Sequence, residues 1–214
     1  MSKEKKILEE IVEIMEMEGK ARKAPVYNVG KIVRKSIFRA IVFVLLSSRT
    51  KDNISIAAAK RLFRKAGSFE KLAKIPEEEV AALIYPVGFY RQKAKWLITN
   101  SKRVVNEGMP EDFLELDGIG RKSRNVILGM LGKEEIGVDT HVHRISNRLG
   151  LVKTKKPAET EKGLKKIFPR RFWRRLNRAF VGYGQTVCKP KPLCNQCKIK
   201  WCPARKTYIK RKSE

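Results

Sequence analysis

The chain is 214 residues long and carries 49 Lys and Arg against 22 Asp and Glu, a net charge of +27. Hydrophobic residues make up 42% and charged residues 33%, which excludes a disordered tail and a membrane-embedded protein and leaves one large or two small domains with a real core. So large a positive surplus, without a matching rise in acids, calls for a polyanionic partner: nucleic acid first, an anionic membrane surface second.

The pattern is helical almost throughout. Ile7, Leu8, Ile11, Val12 and Met15 recur at the spacing of one helix face, and Gly19 is expected to stop that helix. Residues Ala21 to Val29, with Pro25, read as a linker. Ser36 to Leu46 is a nearly all-apolar, buried helix. Asn53 to Ala66 is the next, closed by Gly67, and Ser68 opens another. Pro76-Glu77-Glu78-Glu79 is a helix opening, with acids at the positive dipole end. Gln92–Val105, Arg121–Leu131, Thr140–Leu149, Glu159–Ile167 and Phe172–Val181 follow as helices. Strand alternation and fixed-period repeats are absent, so the expected class is all-α. The longest apolar run, Ala40 to Leu46, is too short to span a bilayer. Met1–Lys6 does not resemble a signal peptide. The expectation is a soluble, intracellular protein.

Three motifs carry chemistry. In Leu116-Asp117-Gly118-Ile119-Gly120-Arg121-Lys122-Ser123, two glycines permit a tight turn and a close backbone approach. The helix behind them offers unpaired N–H groups to a phosphate. On its own this is a common helix–turn–helix corner; in so basic a helical chain it looks like a helix-hairpin-helix, an element that grips DNA backbone without reading sequence. In Gly137-Val138-Asp139-Thr140-His141-Val142-His143, Asp139 is an N-cap, a role that is compatible with catalysis. His141 and His143, the only histidines, stand two apart and so diverge on a helix, unlike a zinc pair. Cys188-x5-Cys194-x2-Cys197-x4-Cys202 gathers every cysteine of the chain into fifteen residues. A compact loop of four thiols suits a [4Fe–4S] cube better than zinc, although spacing alone leaves both open.

Together, and in this order, these motifs resemble the endonuclease III branch of the helix-hairpin-helix DNA glycosylases, over about Phe38 to Pro203. The resemblance implies two helical domains flanking a DNA-binding groove: residues 26–136 with the hairpin, and residues 1–25 plus 137–214 with the iron–sulfur loop. It implies a bifunctional glycosylase and abasic-site lyase of base-excision repair, acting as a monomer on oxidised or ring-saturated pyrimidines in duplex DNA, without a membrane, in the cytoplasm at the nucleoid. Lys122 matches the family's nucleophile, whose attack at C1′ requires a neutral amine; the helix end and the neighbouring Arg121 and Arg124 are expected to disfavour a further charge there. Asp139 matches the carboxylate that answers it across the groove. Cys188, Cys194, Cys197 and Cys202 match the ligands of the [4Fe–4S] cluster. Gly118, Ile119, Gly120 and Arg121 match the backbone-gripping hairpin. Arg49 lies where relatives place a polar residue that fills the gap left by the extruded nucleotide, and Phe89 where a wedge enters beside the opposite base; without the family position, Phe89 reads as a core aromatic.

The chain departs from the family pattern in two shorter cysteine loops, in Asp117 for the usual Pro, and in Arg124 for the usual small Ala. The basic run Arg170–Arg175 and the tail Arg205–Lys212 are expected to face the DNA backbone. The alternatives are a related glycosylase for another base (mismatched thymine or uracil, adenine, oxidised guanine) or a non-enzymatic DNA binder with a zinc loop.

Overall fold

A computed structural model describes residues 3–33 and 35–210; Met1, Ser2, Arg211 and Lys212 lie outside the described residues. Within them the chain is all-helical, without a strand. Contacts divide it into two compact units: one is Asn28–Lys133, and the other joins the chain up to Tyr27 with the chain from Glu134 on. No helix is long and apolar enough to cross a membrane, among the described residues.

The first unit contains α2 (Val26–Val33, from Asn28 onward), α3 (Ile37–Ser47), α4 (Asp52–Lys65), α5 (Phe69–Ala73), α6 (Glu77–Ile84), α7 (Tyr90–Glu107) and α8 (Arg121–Met130); α1 (Lys3–Ala21) precedes them in the other unit. The organising element is α3. Its N-cap Ser36 accepts from the Arg39 N–H, and Phe38 and Ala40 to Leu46 are all buried, as a helix without a polar face demands. Each large side chain there stabilises the unit by about 1.5–3 kcal/mol. Helices α4, α7 and α8 pack around it.

The other unit contains α1, α9 (Thr140–Arg148), α10 (Pro157–Ile167), α11 (Trp173–Thr186) and α12 (Arg205–Lys210). Its core joins Ile11, Val12 and Met15 of α1 to Phe180 and Tyr183 of α11 and to Val142 and Ile145 of α9.

Two local expectations are corrected. Gly19 does not end α1, which runs on to Ala21. Its missing side chain instead admits Tyr27: a Cβ at Gly19 would lie 2.8 Å from the Tyr27 ring, and one at Gly182 of α11 2.7 Å from it. The supposed linker holds the first turn of α2, which begins directly after Pro25, because a proline at a helix start has no N–H to lose. Within the basic run, Arg170 pairs with Glu134 at 2.9 Å, Arg171 with Glu9 at 3.9 Å and Arg175 with Glu16 at 2.9 Å. Phe172 is buried, and the Trp173 indole N–H donates to the Phe168 carbonyl.

Candidate functional site

The hairpin precedes α8. Leu116 and Ile119 are buried, and the Ile119 N–H closes the turn onto the Leu116 carbonyl at 3.1 Å. Gly118 has φ +77°, and a Cβ there would stand 2.5 Å from the Trp96 ring, so both backbone and space require glycine. Asn100, buried on α7, clamps the turn from both sides. Its Oδ1 accepts from the Asp117 N–H at 2.8 Å and its Nδ2 donates to the Asp117 carbonyl at 3.0 Å. A proline at 117 would have no N–H for that clamp, which accounts for the departure at this position. Gly120 is the N-cap of α8 and supplies no side-chain cap; a Cβ there would meet nothing within 4 Å. The hairpin therefore presents bare backbone at the start of α8, with Arg121 and Lys122 exposed in the first turn.

Arg124 does not crowd Lys122 as expected. Its guanidinium turns to Asp112 at 2.7 Å and to Asn125 Oδ1 at 3.3 Å, tying α8 to the turn before the hairpin.

Elsewhere in the same unit, Arg49 and Phe89 come together. The Arg49 guanidinium lies 5.6 Å from the Phe89 ring centre, and Phe89 is 63% exposed, so it is not a core aromatic. Both residues have left-handed backbone, φ 51° and 57°, a conformation that non-glycine residues hold only when their surroundings impose it. Those surroundings include Lys93 of α7, a residue the sequence reading passed over. Lys93 is 2% exposed and donates to the carbonyls of Leu46 and Ser48 and to Thr50 Oγ1.

In the other unit, Asp139 caps α9: its Oδ1 accepts from the His141 and Val142 N–H groups, each at 2.9 Å. That oxygen fixes the side chain at the start of α9, and the Arg144 charge acts on the same carboxylate. His141 packs on Gly184 of α11, whereas His143 Nδ1 meets Thr160 Oγ1 of α10 at 2.7 Å.

The far end of α9 holds the cysteine loop. Arg144 donates to the Cys188 carbonyl at 2.9 Å. Arg148 reaches the Lys189 and Pro190 carbonyls at 2.7 and 2.8 Å, and Cys188 Sγ at 3.4 Å. All four cysteines are free thiols, and with Arg148 and Tyr183 they line one cavity. Burial and the neighbouring Cys197 and Cys188 push the Cys194 thiol up, and burial likewise raises Cys202. Tyr183 and Cys197 Sγ share a hydrogen bond of 3.0 Å. Burial, and then that bond, raise the phenol, so its O–H is the donor to sulfur. A loop that crowds four thiols around an apolar space, with N–H and O–H donors aimed at the sulfurs, fits a metal–sulfur group.

Comparison with known proteins matches residues 42–170 to a family described as HhH-GPD superfamily base excision DNA repair protein. Endonuclease III of Thermotoga maritima is 42% identical over 171 residues, which cover 76% of this chain and 80% of that relative. A solved non-covalent endonuclease III–DNA complex has a TM-score of 0.83 at 28% identity, covering 98% of this chain and 100% of that one. A trapped endonuclease III–DNA covalent intermediate has a TM-score of 0.75 at 28% identity, covering 89% and 98%. The likeness thus runs from α3 through the hairpin and past Asp139, and the chain belongs to the endonuclease III family of HhH-GPD base excision DNA repair proteins.

Proposed function

We propose that the protein is a bifunctional DNA glycosylase and abasic-site lyase that removes oxidised or ring-saturated pyrimidines from duplex DNA. The observation that carries this reading is Lys122, exposed in the first turn of α8 directly behind the uncapped Gly120, in a chain of this family. The hairpin's bare N–H groups take a backbone phosphate, which holds the strand beside the amine. The Lys122 Nζ lone pair attacks C1′ and the bond from C1′ to the base breaks, with its electrons leaving on the base. Nζ then gives up a proton, its lone pair breaks the C1′–O4′ bond while O4′ takes up a proton, and the protonated imine so formed acidifies the C2′ proton, whose loss expels the 3′ phosphate. Asp139, held by its capped Oδ1, offers Oδ2 to the positive charge that grows on the sugar and to protons in transit. Arg49 and Phe89, exposed and paired, fill the helix where the nucleotide has left and wedge apart its opposite base.

Cys188, Cys194, Cys197 and Cys202 hold a [4Fe–4S] cluster in this reading. The donors on two of the sulfurs support it. Bound there, the cluster supplies structural cross-linking of the loop and an electron-transfer centre; no step at the sugar passes through it.

The test is borohydride trapping on a duplex with one thymine glycol. The expected result is a covalent protein–DNA adduct that vanishes in Lys122→Gln while duplex affinity stays. An adduct only on a preformed abasic site keeps the lyase and reassigns the base. No adduct on either duplex refutes the bifunctional chemistry.

A further inference from the structure

Among the described residues, no carboxylate is paired with the buried Lys93. Its three N–H donors are spent on three neutral acceptors: the Leu46 carbonyl at 3.1 Å, the Ser48 carbonyl, and Thr50 Oγ1 at 3.3 Å, which is the full capacity of an ammonium. All three belong to the end of α3 and the four residues after it, where the helix dipole is negative and favours a cation. Thr50 is equally saturated. Its hydroxyl donates to the Ser48 carbonyl at 3.2 Å and accepts from Lys93 and from the Gly88 N–H at 3.1 Å. The network therefore crosses from the loop bearing Arg49 to the turn bearing Phe89. The two backbones touch directly as well: a Cβ on Gly88 would lie 2.8 Å from the Arg49 carbonyl oxygen.

Packing alone does not call for this arrangement. A methionine would fill the same volume without the cost of burying an ammonium, a cost visible in the lowering of Lys93 to about 8 by burial. The charge sits where it can dictate a backbone shape that two bulky residues otherwise resist, since Arg49 and Phe89 are both left-handed. Each such residue carries a backbone cost unless its surroundings hold it.

We propose that Lys93 is a positioning residue that, through Thr50 and Gly88, presets Arg49 and Phe89 as one two-pronged unit before DNA arrives. It touches neither DNA nor the reacting atoms. Presetting spares the ordering cost when both side chains enter the duplex together, and its benefit is confined to DNA in which a gap must be filled. This inference rests on the reading of Arg49 and Phe89 as the residues that enter the helix.

The test uses the full chain and compares affinity for a duplex carrying a tetrahydrofuran abasic analogue with affinity for the same duplex undamaged. Lys93→Met is expected to lower the ratio of the two about tenfold, and Thr50→Val about threefold, with affinity for undamaged DNA unchanged. Arg49→Ala and Phe89→Ala must each lower the same ratio. If they do and Lys93→Met stays within about twofold of wild type, Lys93 is only a packing residue and the proposal is overturned. If Arg49→Ala and Phe89→Ala leave the ratio intact, the reading of the entering residues fails, and the proposal falls with it. Should circular dichroism show Lys93→Met unfolded, Thr50→Val decides alone: an unchanged ratio there also overturns the proposal.

Discussion

Gly118 and Gly120 are two residues apart, yet the same substitution should do opposite things to them. At Gly118 an alanine takes left-handed backbone, φ +77°, at about 1–2 kcal/mol. Its Cβ also falls 2.5 Å from Trp96 and 2.9 Å from Leu45, which must give way; such overpacking costs a further 1–3 kcal/mol or so. Gly118→Ala should therefore destabilise the Asn28–Lys133 unit by about 2–5 kcal/mol. Gly120 has φ −96° and ψ 177°, ordinary extended backbone, and open space around its Cβ position. Gly120→Ala costs under about 1 kcal/mol, the difference between a fair and a poor N-cap. Its methyl would, however, stand where the hairpin meets a phosphate, and duplex affinity should fall by about tenfold. Urea unfolding followed by circular dichroism and tryptophan fluorescence measures the first effect, and titration of a labelled duplex measures the second. A Gly120→Ala variant as destabilised as Gly118→Ala would refute the assignment of one glycine to the fold and the other to the ligand. So would a Gly118→Ala variant within about 1 kcal/mol of wild type.

Three further outcomes are expected. Asp139→Asn keeps an Oδ1 acceptor for the α9 cap, so stability should change by less than about 0.5 kcal/mol while single-turnover base release slows at least a hundredfold or so; a large stability loss with normal release would return Asp139 to capping alone. Burial pushes Glu16 up, but the Arg175 hydrogen bond and the charges of Arg175, Arg178 and Lys20 outweigh it and hold the carboxyl below its ordinary 4.5. Its contribution is thus complete above that value and is lost as pH falls toward the folded one. Glu16→Gln should cost about 1–2 kcal/mol at neutral pH and flatten the acid limb of stability, which urea midpoints across pH 3 to 7 or so would check. Lys93 runs the other way. Its folded value is lowered from 10.5 to about 8 by burial, so the unfolded chain binds more protons between those values and stability rises with pH there, by at most roughly 3 kcal/mol. Wild type should gain on Lys93→Met over that interval, and a constant difference between the two would contradict the buried-ammonium account.

What the sequence made legible was whatever is local. The Ser36 and Ser68 caps, the acids opening α6 and the cap at Asp139 all fall within one helical turn of what they serve, and their spacing announces them. The misses are long-range. Nothing near Gly19 says that Tyr27 will pack on it from one side and Gly182 from the other. Nor does anything near the Arg170–Arg175 run say that α1 will fold beside it and supply Glu9 and Glu16. Lys93 and Asn100 left a fainter trace: both lie on the stripe of α7 that also carries Ala94, Leu97, Ile98 and Ser101, and a lysine or asparagine on a buried helical stripe is a polar group that must be paying attention to something specific. Counting only the apolar positions of α7 passes over these two polar ones. The cysteines needed no long-range information, since all four fall within fifteen residues; what spacing withheld was the apolar cavity between them.

Helix α9 is a rod of nine residues, some 14 Å long, with Asp139 at one tip and Arg144 and Arg148 gripping the cysteine loop toward the other. A rod pinned at a single end can swivel; pinned along its length, it keeps its bearing. The loop thereby acts as the tail bearing of the carboxylate, although it supplies no atom to the chemistry. A molecule whose loop has lost its shape would still carry an intact hairpin on the other unit, and so would still settle on DNA. In the proposed chemistry it would sit at a lesion with Asp139 misaimed, covering damage that it no longer repairs. Whatever keeps the cysteine loop in shape would thereby decide which bound molecules are workers and which are obstructions.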